Sequence, residues 1–461
     1  MRSSNRGCDR PEHTIRLVLV LLTLLGAAPA PCTGAQLIKA GSEGFRVADL
    51  AALQGRVVRR IDVRGHQVTR ETVIRREIRT EVGEPLVLET VAADVTRLDN
   101  ISIFAQIDVD AEAAGDDGVR LTFVFKEMPS WIPLVSFVYT EENGFSAGPG
   151  VTALNVDGRG IRFSGRAYFG GTRQYWVRVQ DPWVAGNHLG FDVFGARYER
   201  TDALRGFEET SEELTPELGT WLGDRGRLRG KLSLFRMRSD TDGVTLSPDN
   251  DDLLVRLGVA VGWDSRDSWR NPTRGWQNEL EVWKTGGFLG GDGDFWSMNL
   301  DLRRWFRTGH RQKLQLAGLL SLQSGDLGAG VPLYMDYRLG GANTIRGYSV
   351  NELGKTLAGK NQILGTAEYS FTLVPLRRWD IWVLSMRLGI ELAVFGDVGT
   401  AWSEPAELGW SRTRAGAGAG LRILVPGTEM TRFDVGWSPE GGVHFHFGNW
   451  SRPAAQRFRL R

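Results

Sequence analysis

Three places in this sequence carry residue types that could do chemistry. Gly144-Phe145-Ser146-Ala147-Gly148 has the Gly-x-Ser-x-Gly spacing of a hydrolase elbow. That elbow needs a strand-to-helix turn with an acid and a histidine in support. No helical period follows here, so the segment reads as the start of a strand and catalysis is not expected. His444 and His446 stand at i, i+2 on one face of an alternating stretch. A metal needs more ligands than two, and no third is evident, so they read as ordinary polar residues and no metal site is assigned. The third place is Arg346, in LGGANTIRGYSV at 339–350. It sits among apolar and glycine neighbours in an interruption running from about Ser324 to Lys360. Loops this long inside a compact domain are uncommon, and usually functional or disordered.

The elements that must position these residues are largely strands. The chain has 461 residues and a net charge of +1, so no global field points to nucleic acid. Gly (58) and Trp (16) are both high, which suits a large antiparallel β-structure. No nucleotide-binding motif is present, and no cofactor is expected.

The N-terminus carries Arg2, Arg6, Arg10 and Arg16 before the apolar run LVLVLLTLLGAA at 17–28. Basic residues, a short apolar segment and small residues together describe a secretory signal peptide, 1–35, cleaved after Ala35. A lipoprotein signal ending at Cys32 is the rival, but Pro29 and Pro31 fit a lipidation box poorly. Cleavage after Ala35 removes both cysteines, Cys8 and Cys32, and leaves no disulfide to form. No later segment is apolar for long enough to be a transmembrane helix. The mature protein is then either soluble outside the cytoplasm or a β-barrel.

After a short linker, 36–55, residues 56–129 form a small α+β domain of order β-α-α-β-β. RVVRRIDVRGHQVT alternates like a strand, and Val73, Ile74 and Ile78 recur at helical spacing. LVLETVAADVTRLDNI repeats apolar residues every three or four positions, and two alternating strands joined by AAGDDG follow. From residue 130 the helical period disappears. In LLVRLGVAVGW (253–263) the odd positions are Leu, Val, Leu, Val, Val and Trp, whereas the even positions include Arg256, Gly258 and Gly262. About sixteen such segments of about 9–13 residues fill 130–449. They begin near 131, 144, 160, 173, 188, 212, 227, 253, 275, 295, 312, 361, 386, 412, 430 and 441. Inward Arg and Asp beside Gly suit a wet lumen, and aromatics gather near segment ends as interfacial girdles do. The fold expected is a mainly β, about 16-stranded antiparallel transmembrane β-barrel behind one small α+β domain. A basic tail, 450–461, closes the chain.

These residues resemble the BamA/TamA-type outer-membrane superfamily (bacterial surface antigen family). The small domain resembles its POTRA domain. Ile345-Arg346-Gly347-Tyr348 resembles its (Val/Ile)-Arg-Gly-(Phe/Tyr) signature. GWDSRDSWRNPTRGW (262–276), GTAEYSF (365–371), FGDVGTAW (395–402) and GAGAGLRILVPGTEMTRFDVGW (416–437) resemble its turn between strands eight and nine and its closing strands. Parity puts Glu368 on one face with Gln362, Thr366 and Ser370, and puts Asp397 opposite Val394, so both carboxylates point inward. The resemblance implies that the 324–360 loop folds into the lumen and that Arg346 meets Asp397, with Glu368 nearby. Gly416, Gly418 and Gly420 then leave room for the loop tip.

The resemblance also implies an outer-membrane location, a periplasmic POTRA domain, and assembly or insertion of outer-membrane proteins without enzymatic chemistry. The partners implied are outer-membrane lipid and unfolded outer-membrane or secreted polypeptide clients. Periplasmic chaperones or lipoproteins are candidate accessories, and nucleic acid is not a partner. The last POTRA strand would offer an edge to a client. The barrel would close by pairing its first strand (about 131–140) with its last (about 441–448). A two-partner-type secretion pore and a passive diffusion pore are the alternatives. Two departures stand out: there is one POTRA unit only, and the chain does not end on an aromatic residue.

Overall fold

The computed structural model describes residues 51–140, 143–186, 188–269, 271–381, 384–425 and 430–449. The signal peptide, linker residues 36–50 and the tail lie outside the described residues.

The small domain has strands Val57–Arg64, Phe104–Ala113 and Gly118–Glu127 and helices Glu71–Arg75 and Leu88–Asn100. Val91, Val95 and Leu98 recur on one face of the longer helix and are buried against Ile107, Leu121 and Phe123 of the sheet. Asp94 on that helix is fully buried and accepts from the backbone N–H groups of Arg79 (2.8 Å) and Thr80 (3.0 Å), which fixes the turn after the first helix. The sheet order is first, third, second strand. The first and third strands are parallel, and the second and third antiparallel. This corrects the expectation that the last strand offers an edge. A hairpin holds it on one side and the helical crossover places the first strand on the other, so it is the centre of the sheet.

The long region is one sheet of sixteen antiparallel strands. In order they are Trp131–Thr140, Gly144–Val156, Ile161–Gly170, Arg173–Ala185, Leu189–Asp202, Phe207–Leu222, Gly226–Ser239, Asp251–Asp264, Gly275–Gly286, Asp294–Gly309, Gln312–Gln323, Asn361–Ile381, Leu384–Trp402, Arg414–Leu424, Thr431–Ser438 and Gly442–Asn449. Alternation sets which face is wet. Val259 and Val261 are 50% and 49% exposed, while Leu254, Arg256 and Ala260 are 0%, 3% and 1% exposed. Apolar side chains therefore face outward and charged ones inward, the reverse of a soluble barrel. Among the described residues no helix is long and apolar enough to cross a membrane.

Several boundaries differ from the sequence reading; strand ten, for example, is 16 residues long rather than about 9–13. Strand six begins at Phe207 rather than near 212. Strands twelve and thirteen are 21 and 19 residues long rather than about 9–13, and thirteen begins at Leu384. Pro375, Arg377 and Arg378 break the alternation that marks a strand, and the ladder shifts register between Thr372 and Val374 and again between Val374 and Arg377. This long hairpin leaves the barrel wall and reaches the small domain. Arg378 donates to Gln106 (3.0 Å) and Arg387 to Asp99 (2.6 Å).

The same end of the barrel is covered by the small domain through four more turns. Arg70 N–H donates to the Gly158 carbonyl (2.9 Å), and Arg76 to the Trp183 carbonyl (3.4 Å). Arg79 pairs with Asp224 (2.6 Å), and Trp269 N–H donates to Asn100 (3.1 Å). Ile132 and Leu154 of the barrel join the small domain's own core. The junction is fixed by Glu127, which accepts from the N–H groups of Gln67 (3.1 Å), Val68 (2.9 Å) and Thr69 (2.7 Å) and from the Thr69 hydroxyl. Asn155 of barrel strand two donates to that hydroxyl (2.9 Å). Burial pushes the Glu127 carboxyl up, but these donors outweigh it and hold its pKa below the usual glutamate range. A depressed carboxyl stabilises the fold above its unfolded pKa of about 4.3, and that contribution is lost as pH falls through the depressed value. Acidification through that range is expected to undock the domain in wild type, read by fluorescence of the interfacial tryptophans. Glu127→Gln is expected to weaken docking by about 1–3 kcal/mol already at neutral pH. Identical pH profiles for the two proteins would refute the assignment.

The two ends of the sheet, strands one and sixteen, lie side by side. The Phe137 and Phe447 rings stack at 4.6 Å with an interplanar angle of 14°. Among the described residues no hydrogen-bonded ladder joins them. The expected closure by strand pairing is thus corrected to an adjacent but unzipped seam.

Candidate functional site: the loop tip inside the barrel

The interruption in alternation is a loop from Ser324 to Lys360, between the ends of strands eleven and twelve. It crosses the mouth at the end away from the small domain. Its first part, with Val331 and Met335, packs on Phe207, Phe235, Met237, Leu254 and Phe295 of strands six, seven, eight and ten. Tyr334 donates to Asp252 (2.8 Å), and Arg338 pairs with Asp202 (2.7 Å). Ser349 caps a single helical turn, Val350–Leu353, through a reciprocal pair with Glu352. The tip then turns inward. Ile345 and Tyr348 are buried with Leu319, Leu339, Leu353, Leu357, Leu364 and Ala401.

Arg346 is 1% exposed. Its Nε and Nη2 donate to the two oxygens of Asp397 at 2.7 and 2.9 Å, a bidentate pair. Nη1 donates to Glu368 at 3.0 Å and reaches Asp434 at 3.4 Å. The guanidinium lies 3.3 Å from the centroid of the Phe395 ring. Thr366 donates to Asp397 (3.0 Å) from the neighbouring strand, fixing the carboxylate plane. Asp397 sits inward because the ladder pairs it with Thr366 on one side and Gly416 on the other.

Several members of the cluster were not singled out as site residues from sequence. Arg422 binds Glu368 through two nitrogens at 2.8 and 3.1 Å and also pairs with Asp434. Arg432 donates to the Ala342 carbonyl of the loop (3.1 Å). His446 Nε2 lies 2.8 Å from the Arg346 carbonyl oxygen, and the Ser438 hydroxyl donates to the Gly347 carbonyl (2.7 Å). Three guanidiniums and three carboxylates therefore balance inside the barrel, each under 10% exposed. Alternation marks all of them as inward-facing. It gives no signal that separates them from other polar lumen residues.

The glycines divide by what they admit. A Cβ on Gly416 would stand 2.7 Å from the Gly347 nitrogen, so this position makes room for the loop tip. A Cβ on Gly418 would instead meet the Val435 carbonyl oxygen at 2.1 Å and the Phe395 ring at 2.5 Å, and one on Gly420 the Asp434 carboxylate at 2.0 Å. These two thus admit the residues around the arginine rather than the tip itself, which corrects their common assignment. Gly436, not singled out before, is closer still, since its Cβ would lie 1.8 Å from the Arg346 carbonyl oxygen. The arrangement can hold a loop backbone flat against the barrel wall and neutralise a charge there.

The other candidates resolve differently. Ser146 lies in strand two, and its hydroxyl accepts from the Thr172 N–H (2.9 Å). His444 contacts Glu352 of the loop at 3.1 Å.

The Omp85 superfamily domain matches residues 155–449, well over half of the chain, and the POTRA domain of surface antigens matches 57–128. The chain belongs to the Omp85 superfamily. It is similar to the outer membrane protein assembly factors BamA of Nitratidesulfovibrio vulgaris (23% identity, 84% of this chain, 49% of the relative) and Neisseria meningitidis (21%, 75%, 46%). The chain thus spans about half the length of the curated relatives it matches. Its fold is similar to a BamA structure from Haemophilus ducreyi lacking POTRA domains 1–3 (TM-score 0.54, 17% identity, 86% of this chain and 83% of that one). It is also similar to CdiB from Acinetobacter baumannii (TM-score 0.55, 14%, 96% and 86%). This Omp85 barrel lies in the outer membrane, with the POTRA domain of residues 57–128 on the periplasmic side and the 324–360 loop at the extracellular mouth.

Proposed function

We propose that this Omp85 protein assembles or inserts outer-membrane proteins without catalysing a chemical step, its clients being unfolded β-barrel chains. The observation that carries this reading is the seam. Strands one and sixteen touch through Phe137 and Phe447 but share no ladder among the described residues. Unpaired strand edges recruit further strands, and in lipid every backbone polar group needs a partner. A client strand that pairs at the seam gains those partners before it meets acyl chains, and folding free energy drives the step. The POTRA domain receives the client through its outer strands, Val57–Arg64 or Phe104–Ala113, since the last strand is central. Arg346 with Asp397 and Glu368 locks the loop in the bore, so the barrel wall stays rigid away from the seam. Periplasmic chaperones or lipoproteins deliver clients to the POTRA face.

A passive pore fits less well, because the loop lies across one mouth and the POTRA domain covers turns at the other. Polypeptide secretion for a dedicated partner would need both obstructions to leave together. Photo-crosslinkers placed in strands 131–140 and 442–449 in cells separate the readings. Nascent outer-membrane proteins are expected in the adducts. Capture of a single secreted protein and no barrel clients would overturn the proposal.

A further inference from the structure

The outer surface carries one charged patch whose residues the assembly reading does not use. It lies at the extracellular ends of strands five to eight, on the outward face. Arg197 pairs with Glu199 on its own strand (2.8 Å) and with Glu212 on strand six (2.6 Å). Glu212 meets Arg238 of strand seven (3.2 Å), and Arg238 meets Asp251 of strand eight (3.4 Å). Arg236 donates to Asp251 as well (2.7 Å). The six side chains alternate in sign across four strands and remain 23–48% exposed. Taken singly, exposed ion pairs add little stability; joined as a ladder, these hold three guanidiniums side by side on the outward face.

The depth of the patch is informative. On strand eight the outward residues stay apolar from Leu253 to Trp263, ten steps. At roughly 3.3 Å per step and a tilt of about 40° this is about 25 Å in height, a full apolar band. On strand seven the apolar lane runs only from Leu228 to Leu234, six steps, before Arg236 interrupts it. That is about 15 Å in height by the same arithmetic. The register pairs Arg236 with Leu253, so this guanidinium stands level with a residue of the apolar band. Long basic side chains at such a level extend to the headgroups. The headgroup atoms that match a planar fork of N–H donors are phosphate oxygens. Glu212 and Asp251 between the arginines supply hard oxygen ligands that a divalent cation could share with the same phosphate.

We propose that this face of strands five to eight binds a phosphate-bearing lipid of the extracellular leaflet, with Arg197, Arg236 and Arg238 on the phosphates and a divalent cation bridging Glu212 and Asp251 to them. Binding opens the intramolecular pairs and exchanges their carboxylate partners for phosphate and cation. The site faces away from the lumen and lies on strands other than one and sixteen, so it stands or falls independently of the seam.

The full-length protein in nanodiscs containing purified bis-phosphorylated lipid A with Mg2+ tests it by native mass spectrometry. Retention of lipid A is expected to fall at least fivefold in an Arg197→Gln/Arg236→Gln/Arg238→Gln variant, and at least twofold for wild type in EDTA. Arg311→Gln, in the periplasmic turn before strand eleven, is the charge-matched control for single Arg236→Gln and is expected to retain wild-type binding. Heat-modified gel mobility checks that each variant remains folded. Should the triple variant misfold, single Arg236→Gln with wild type on dephosphorylated lipid A gives the same comparison. Equal retention by variant and wild type would overturn the proposal. So would equal retention of dephosphorylated lipid A, or of phosphatidylglycerol at the same mole fraction.

Discussion

Replacing Arg346 with alanine is expected to free the extracellular loop and weaken the whole barrel. The guanidinium is held by Asp397, Glu368 and Asp434 at 2.7–3.4 Å with almost no solvent contact. Removing it leaves three buried carboxylates against two guanidiniums. Breaking a buried pair from one side costs about 3–5 kcal/mol, because the partner charge stays desolvated. The burial of Ile345 and Tyr348 opposes release, at about 1.5–3 kcal/mol for each fully buried side chain. The two contributions are comparable, so the tip is expected to detach for much of the time. Externally added protease should then cleave between 339 and 350 in intact cells, where the wild type is protected. The unfolding midpoint should also fall. Arg346→Lys should rescue little, since one ammonium cannot make the bidentate pair with Asp397 and still reach Glu368. Full protection in Arg346→Ala would mean that the pocket around Tyr348 alone holds the loop.

Gly436→Ala is expected to do nearly as much without touching a charge. The new methyl carbon would lie 1.8 Å from the Arg346 carbonyl oxygen and 2.4 Å from its carbon. These are backbone atoms, so no side-chain rotation relieves the clash. Either the tip lifts from the wall or strand fifteen bows outward, and overpacking of this kind typically costs about 1–3 kcal/mol or more. Gly396→Ala is the control: its Cβ would meet nothing within 4 Å. Protease cleavage of the loop and lowered thermal stability in Gly436→Ala, with wild-type behaviour in Gly396→Ala, is the expected pair of results. If both variants behave like wild type, the tip does not lie where the geometry puts it.

How much of this was legible in the sequence depended on the kind of signal. Alternation is a local property, so LLVRLGVAVGW gave both a strand and its greasy face, and most strand starts fall within a residue or two of their expected positions. Where alternation fails, the strand is invisible. FTLVPLRRWDI interleaves Pro375 and two arginines, and the outer part of the strand twelve–thirteen hairpin was missed. Its pairing there is held by contacts to the small domain, which no local pattern records. Strand order in the small domain and the unzipped seam are likewise non-local. Arg346, Asp397 and Glu368 could be brought together because parity placed both acids inward and a resemblance supplied the loop's direction. Arg422, Arg432, Asp434 and His446 share that parity, yet other barrel strands carry such residues too, among them Arg256, Glu281 and Arg303. What selects them is their distance from one loop tip, which only the folded chain defines.

The central claim is that Arg346 and Asp397 are energetically coupled inside the barrel. A double-mutant cycle on unfolding free energy in lipid bilayers, with Arg346→Ala, Asp397→Ala and the double variant, measures this directly. The account predicts strong non-additivity, with the double variant less damaged than the sum of the singles by more than about 1.5 kcal/mol. Additive losses within about 0.5 kcal/mol would show that the two side chains do not act on each other, and would contradict the account.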